Sequence, residues 1–287
     1  MRIKNRVVNV SEEIVLKELS SIAAENGLRV YLKMRLSDVL DDDDYLDREL
    51  FSYYTRSHFD FTVTTPEQKP VMAIEYDGPY HWEPEQIARD QKKHRICKEA
   101  GLPILRINAN HVMRKYRGMN LLRWIIEVIQ LEKSFNEAQN KGEIPFDESF
   151  DPLAIISDGS GRGWPYWLSA EALTQINKFI RNRSGTAWIT LIGSDDDRGL
   201  HSLEYLRLDD HVLWVRTSVR NQDADINQFQ IIREVTHCEM GEQLASLVHR
   251  ERTLTPIKEF QVIHDAVCQR YKMRAYGTMG DGLDLPG

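Results

Sequence analysis

Val71-Met72-Ala73-Ile74 is an unbroken apolar run that ends in two carboxylates, Glu75 and Asp77, separated by Tyr76. The run is too short for an independent helix and suits a buried strand. Because side chains alternate along a strand, Glu75 and Asp77 are expected on one face and Tyr76 on the other. Upstream, His58-Phe59-Asp60-Phe61-Thr62-Val63 reads as a second short strand, with Asp60 set between two aromatics. Downstream, Pro84 stands where a first helical residue is favoured, Gly101 stands where a C-terminal cap is, and Pro103 blocks continuation, so residues 84–100 read as a helix. On it Gln86, Arg89 or Asp90, and Lys93 recur at spacings of three and four and share a face. Ile104-Leu105-Arg106-Ile107 then supplies a third buried strand, giving the order strand, strand, helix, strand.

The flanking pattern extends this unit. Ser11 is a good N-cap for a helix whose Val15, Leu16 and Leu19 make an apolar stripe, and Leu121, Leu122, Ile125, Ile126, Val128, Ile129 and Leu131 mark another helix. Turn-forming residues at 139–145 and 157–163 predict a division into a domain at 1–140, a linker at 141–163, a second domain at 164–276 and a mobile tail at 277–287. The second half reads as α+β. A helix is expected over Ala170–Arg181, strands over Ala187–Ile192, Leu203–Leu208 and Val212–Arg216, and helix from there to about Arg274. Trp164, Tyr166 and Trp167 at its start suit a core better than a base-stacking platform.

Paired carboxylates at the end of a buried strand repel each other and resist desolvation. A divalent cation is the usual compensation for such a pair, to which Asp60 adds a third carboxylate; a buried ion network with Arg89 and Lys93 would compensate it without catalysis. Oxygen donors favour Mg²⁺ or Mn²⁺, whereas Cys97, Cys238 and Cys268 lack paired zinc-ligand spacing, and His264 with Cys268 is only half a tetrahedral site. Asp41-Asp42-Asp43-Asp44 lacks the alternation and glycine of a calcium loop and reads as an exposed connection.

Asp60, then Glu75-x-Asp77-Gly-x-x-His81, then Gln86-x-x-Arg89-Asp90-x-x-Lys93, then Ala100-Gly101-Leu102-Pro103-x-Leu105-Arg106-Ile107 resembles the PD-(D/E)xK nuclease superfamily, in its branch similar to very-short-patch-repair (Vsr-like) endonucleases. The resemblance covers about residues 10–130. It implies a restriction-endonuclease-like α/β fold, a mixed sheet flanked by helices, with Asp60 at the "PD" aspartate after Phe59 in place of proline. Glu75 takes the "(D/E)" position, and Asp77 stands where lysine is usual. Lys93 from the next helix, or His81 as a general base or phosphate contact, would then do the work of that lysine. The family's glutamate on an opening helix is best matched by Glu12, with Glu13 the alternative. The implied activity is Mg²⁺-dependent hydrolysis of nucleic acid, DNA being favoured, in repair or phage defence, with one or two Mg²⁺ ions held by Asp60, Glu75 and, as a further candidate, Asp77. A non-catalytic nucleic-acid binder or a partner-recruiting protein that kept the fold is the alternative.

Charge sharpens the substrate expectation. The 287-residue chain carries a net charge of -7 and a pI near 5.8, which argues against a generic polyanion binder. Yet residues 84–123 hold ten basic side chains against three acidic ones. Gln86, Arg89, Lys92, Arg106, Arg114, Lys115 and Arg117 are therefore the candidate nucleic-acid contacts, the last three on a loop-like stretch after His111. No GxxxxGK[ST] loop occurs, so ATP-driven movement along DNA would need a separate helicase or ATPase partner. No apolar stretch has membrane-spanning length, Met1–Arg6 is followed by no signal-like core, and few cysteines suit a reducing cytoplasm.

Overall fold

The computed structural model describes residues 9–41, 46–77, 84–116, 118–151, 168–195, 199–220, 227–249 and 253–280. The chain is mixed α/β and divides into two compact units, the first drawn from residues 9–115 and 120–127, the second from 116–119, 128–220 and 227–280. The division falls inside the long helix α5 (Leu121–Asn140), earlier than the linker expected at 141–163. Among the described residues no helix is long and apolar enough to cross a membrane.

The first unit opens with α1 (Val10–Glu25), capped by Asn9 and not by Ser11. Asn9 accepts the Glu12 backbone N–H at 2.8 Å while Glu12 Oε2 accepts the Asn9 N–H at 3.2 Å, a reciprocal pair that satisfies two otherwise orphaned donors. Strand β1 (Arg29–Leu32) and helix α2 (Arg48–Arg56) follow, both additional to the elements expected from sequence. Next come β2 (Phe61–Thr64), β3 (Pro70–Tyr76), helix α3 (Pro84–Glu99) and β4 (Ile104–Ile107), in the expected order. The sheet runs β1-β2-β3-β4, antiparallel except for the β3–β4 pair. A parallel pair needs a long crossover, which α3 supplies. Leu50 and Tyr54 of α2 and Ile96 and Cys97 of α3 pack with Ala73 and Ile104 in one apolar cluster. Alternation along β3 therefore puts Glu75 on the face that α3 covers.

Residues after β4 form a short helix α4 (Ala109–Met113), capped by Asn108, then the two-residue strands β5 (Lys115–Tyr116) and β6 (Met119–Asn120). The stretch from His111 is thus ordered by a cap and a strand pair, where a loop was expected.

The second unit holds α6 (Ala170–Arg181), β7 (Thr186–Asp195), β8 (Gly199–Leu208), β9 (His211–Arg220), α7 (Gln228–Val248), β10 (Thr255–Pro256), α8 (Ile257–Tyr271) and β11 (Arg274–Gly280). Its sheet, β10-β9-β8-β7-β11, is antiparallel throughout. Leu203 and Tyr205 pack with Phe260 of α8, while Leu206 packs with Ile176 of α6 and Met240 of α7, so helices cover both faces and β8 is buried nearly end to end. A Cβ at Gly241 would come within 2.5 Å of Ala172, which explains glycine where α6 and α7 meet. Glu204 is fully buried on β8 and accepts from Thr190 at 3.0 Å, with His237 Nδ1 at 2.7 Å. Two expectations change here. The helical reading to Arg274 is interrupted by β10, and residues 277–280, read as tail, pair with β7 as part of β11. The aromatic group at 164–167 and the segment 157–163 lie outside the described residues.

Candidate active site

Asp60 sits at the turn into β2 and Glu75 near the end of β3, strands paired with Phe61 opposite Ile74. The pairing brings the two carboxylates to the same end of the sheet. The backbone N–H of Tyr76 donates to Asp60 Oδ2 at 2.9 Å, fixing that side chain. Lys93, from α3, donates to Glu75 Oε2 at 2.7 Å and to the His58 carbonyl at 3.0 Å, with its ammonium 5.6 Å from the centre of the Phe59 ring. Burial pushes the Glu75 carboxyl above its ordinary pKa, and Asp60 adds to this against the pull of Lys93 and Arg106. The other Glu75 oxygen, Oε1, is buried and has no hydrogen-bond partner among the described residues.

An open cleft of about 750 Å³ runs over this end of the first unit. Glu12, Asp60, Glu75, Gln86, Arg89 and Lys93 all line it. The helix-face reading of α3 explains the last three: spacings of three, four and seven put them over the carboxylates, and Gln86 donates to Asp90 Oδ1 at 3.3 Å. Arg89 is exposed there, a cation open to solvent at the cleft wall.

The remaining described candidates lie elsewhere. Asp77 does not line the cleft: its backbone N–H bonds to the Ile107 carbonyl at 2.6 Å, and its carboxylate lies 3.6 Å from Arg106. Arg106 stands beside Glu75 in the parallel β3–β4 register, is buried, and lies 3.3 Å from Asp90. It is turned to the interior and does not line the cleft, where a phosphate contact was expected of it. Lys92 points to Glu49, at 2.5 Å, on α2. Arg114 and Lys115 are exposed but do not line the cleft. His81, Gly78 and Arg117 lie outside the described residues. Glu13 is exposed on α1, whereas Glu12 is buried at the cleft, which settles their relative placement.

Two participants carry no readable signal in the sequence. Lys33, just after β1, has a φ of 53° and donates to Glu12 Oε1 at 2.8 Å and to Asp60 Oδ1 at 2.5 Å. Burial opposes its charge, but the bonds to Asp60 and Glu12 outweigh that and hold the ammonium above its ordinary pKa. His58 lines the cleft, its imidazole held below the ordinary value by desolvation first and then by Lys33 and Lys93. A short edge strand and a left-handed residue after it leave no periodicity to read.

Among the described residues, no three or more His, Cys, Asp or Glu side chains are gathered to hold a metal ion. The arrangement is a pair of cleft-lining carboxylates each held by a lysine, Asp60 by Lys33 and Glu75 by Lys93.

Residues 4–121 match a protein family described as a protein of unknown function, DUF2726. The matched stretch includes every cleft residue named above. A Haemophilus influenzae (strain ATCC 51907 / DSM 11121 / KW20 / Rd) protein designated "Uncharacterized protein" is 23% identical over 128 residues, which cover 43% of this chain and 66% of that one. The chain thus spans just under two thirds of that relative's length. No solved structure matches the chain.

Proposed function

We propose that this protein is a metal-dependent nuclease of the PD-(D/E)xK kind, similar to Vsr-like endonucleases, that hydrolyses phosphodiester bonds in nucleic acid, with DNA the favoured substrate. The observation that carries this reading is the convergence of Asp60, Glu75 and Lys93 in one cleft from three separate elements, with Lys93 on Glu75 at 2.7 Å. The mixed sheet with its parallel β3–β4 pair and α3 crossover supports a restriction-endonuclease-like core for the first unit. Repair and phage defence are the settings in which such an activity serves, and a separate helicase or ATPase would supply any movement along DNA.

The donor chemistry fits a hard cation. Glu75 Oε1 is a buried acceptor without a donor, and Asp60 lines the same cleft, so these two carboxylates, with Glu12 beside them, are the groups to hold Mg²⁺ or Mn²⁺. Bound there, the metal would neutralise the scissile phosphate and lower the pKa of the attacking water. Lys93 keeps Glu75 in place and takes the position of the family lysine; His81 remains the alternative for proton transfer. Arg89 meets the phosphate backbone at the cleft wall. Water adds to phosphorus, the ester P–O bond breaks, and the leaving oxygen takes a proton.

A second reading, a non-catalytic nucleic-acid-binding or partner-recruiting protein that kept the fold, is favoured by one observation: Asp60 and Glu75 each already accept from a lysine. Supercoiled plasmid and labelled single strands, incubated with Mg²⁺, Mn²⁺ or EDTA, separate the two. Metal-dependent cleavage supports the nuclease; binding without turnover in any metal supports the second reading.

A further inference from the structure

Lys33 and Lys93 neutralise the same cluster in different ways. Lys93 is enclosed: its side chain is 9% exposed and is held by Glu75, the His58 carbonyl and the Phe59 ring. Lys33 is 31% exposed and spans Glu12 and Asp60 from the sheet edge, at 2.8 and 2.5 Å. Those two carboxylates come from α1 and from the turn into β2, so the ammonium stands where one cation joins two elements. Glu75 lines the same cleft, and its Oε1 is a buried acceptor with no hydrogen-bond partner among the described residues. A monovalent ammonium on a flexible stem satisfies Glu12 and Asp60 but leaves that oxygen unserved.

We infer that Lys33 is a tethered cation that masks the metal site: it bridges Glu12 and Asp60 when no divalent ion is bound and withdraws into solvent when one loads. This rests on the metal-site reading proposed above. Lys33 is the displaceable lysine because its tip can reach water by rotating its own side chain, whereas Lys93 would have to leave a closed pocket. A metal ion and the ammonium cannot share the bridge, since like charges at that separation repel strongly in a partly desolvated site. Metal loading therefore competes with an internal ligand, and the apparent affinity is weakened by the fraction of molecules in the masked state.

The test is Mn²⁺ binding to the whole protein without nucleic acid, followed by electron paramagnetic resonance and calorimetry, so that it does not depend on cleavage. Lys33→Met is expected to bind Mn²⁺ at least tenfold more tightly than wild type, and Lys33→Arg, which keeps the charge, to stay near wild type. Adding Glu75→Gln to Lys33→Met is expected to abolish the gain. In wild type, ¹³C-labelled lysine spectra should show the Lys33 Cε signal move to the free-lysine position as Mg²⁺ is added, a readout that holds even if Lys33→Met fails to fold. Equal Mn²⁺ affinity in wild type and Lys33→Met, or a Lys33 signal unmoved by saturating Mg²⁺, overturns the mask while leaving the metal site standing. No Mn²⁺ binding by any variant overturns both.

Discussion

The ammonium of Lys93 lies 2.7 Å from Glu75 Oε2, and both side chains are buried, at 9% and 8% exposure. A buried pair of this kind is costly to break because the remaining charge has no water to replace its partner. Lys93→Met should therefore destabilise the protein by about 3–5 kcal/mol, and Lys93→Met with Glu75→Gln should recover much of that loss. Urea denaturation of the two variants against wild type measures both. If the single and double variants lose the same amount, the pair is not coupled and Lys93 does not hold Glu75.

On the proposed reading, Arg89 makes a separable contribution to substrate binding. It is exposed and lines the cleft, away from the enclosed lysine. Arg89→Ala should weaken binding to DNA of any sequence and lower the slope of log affinity against log salt by about 1, the signature of one lost phosphate contact. Fluorescence anisotropy over a salt series reads this directly, and an unchanged slope places the phosphates elsewhere.

His111 gives the fold a pH dependence. Burial lowers its pKa from 6.5 to about 4, and its Nδ1 lies 3.1 Å from the Asn108 backbone nitrogen and 2.8 Å from Asn108 Oδ1. The unfolded chain thus takes up this proton more readily than the folded one. The stabilisation from His111 is fully present above pH 6.5 and is lost as pH falls toward 4. His111→Gln keeps a capping-box side chain at that helix position but does not titrate, so its stability should lose this part of the pH slope. Denaturation curves between those limits provide the comparison.

How much could be read in advance follows from which physical signals are local. Helix α3 was legible because Pro84 and Gly101 punctuate it, and β3 because an apolar run stopped at two acids. Strand β1 was not, since Arg29–Leu32 is brief and partly exposed at the sheet edge, with little to distinguish it from a loop. The role of Lys33 depends on a left-handed backbone turn and on pairing between β1 and β2, neither of which is written in spacing. Arg106 read as a surface cation because the parallel register that sets it beside Glu75 is a tertiary fact. Strand β11 escaped because its pairing with β7 uses backbone groups, while its glycines weaken the side-chain pattern. The cap at Asn9 in place of Ser11 is a smaller matter: both residues are good caps, and Glu12 returns the bond only to Asn9.

On the proposed reading, Glu75 belongs to a hydrolytic centre and is not merely half of a structural ion pair. Glu75→Gln is the sharpest probe, because it keeps the side chain's shape and its ability to accept from Lys93 while removing the charge. The measurement is the initial rate of plasmid nicking in Mg²⁺ by wild type and by folded Glu75→Gln, with DNA affinity determined in parallel. A loss of at least about 100-fold in rate with binding retained is expected, since an interaction needed only for the chemical step lowers turnover and not affinity. Equal nicking by both proteins, or none by wild type in any divalent metal, would contradict that reading.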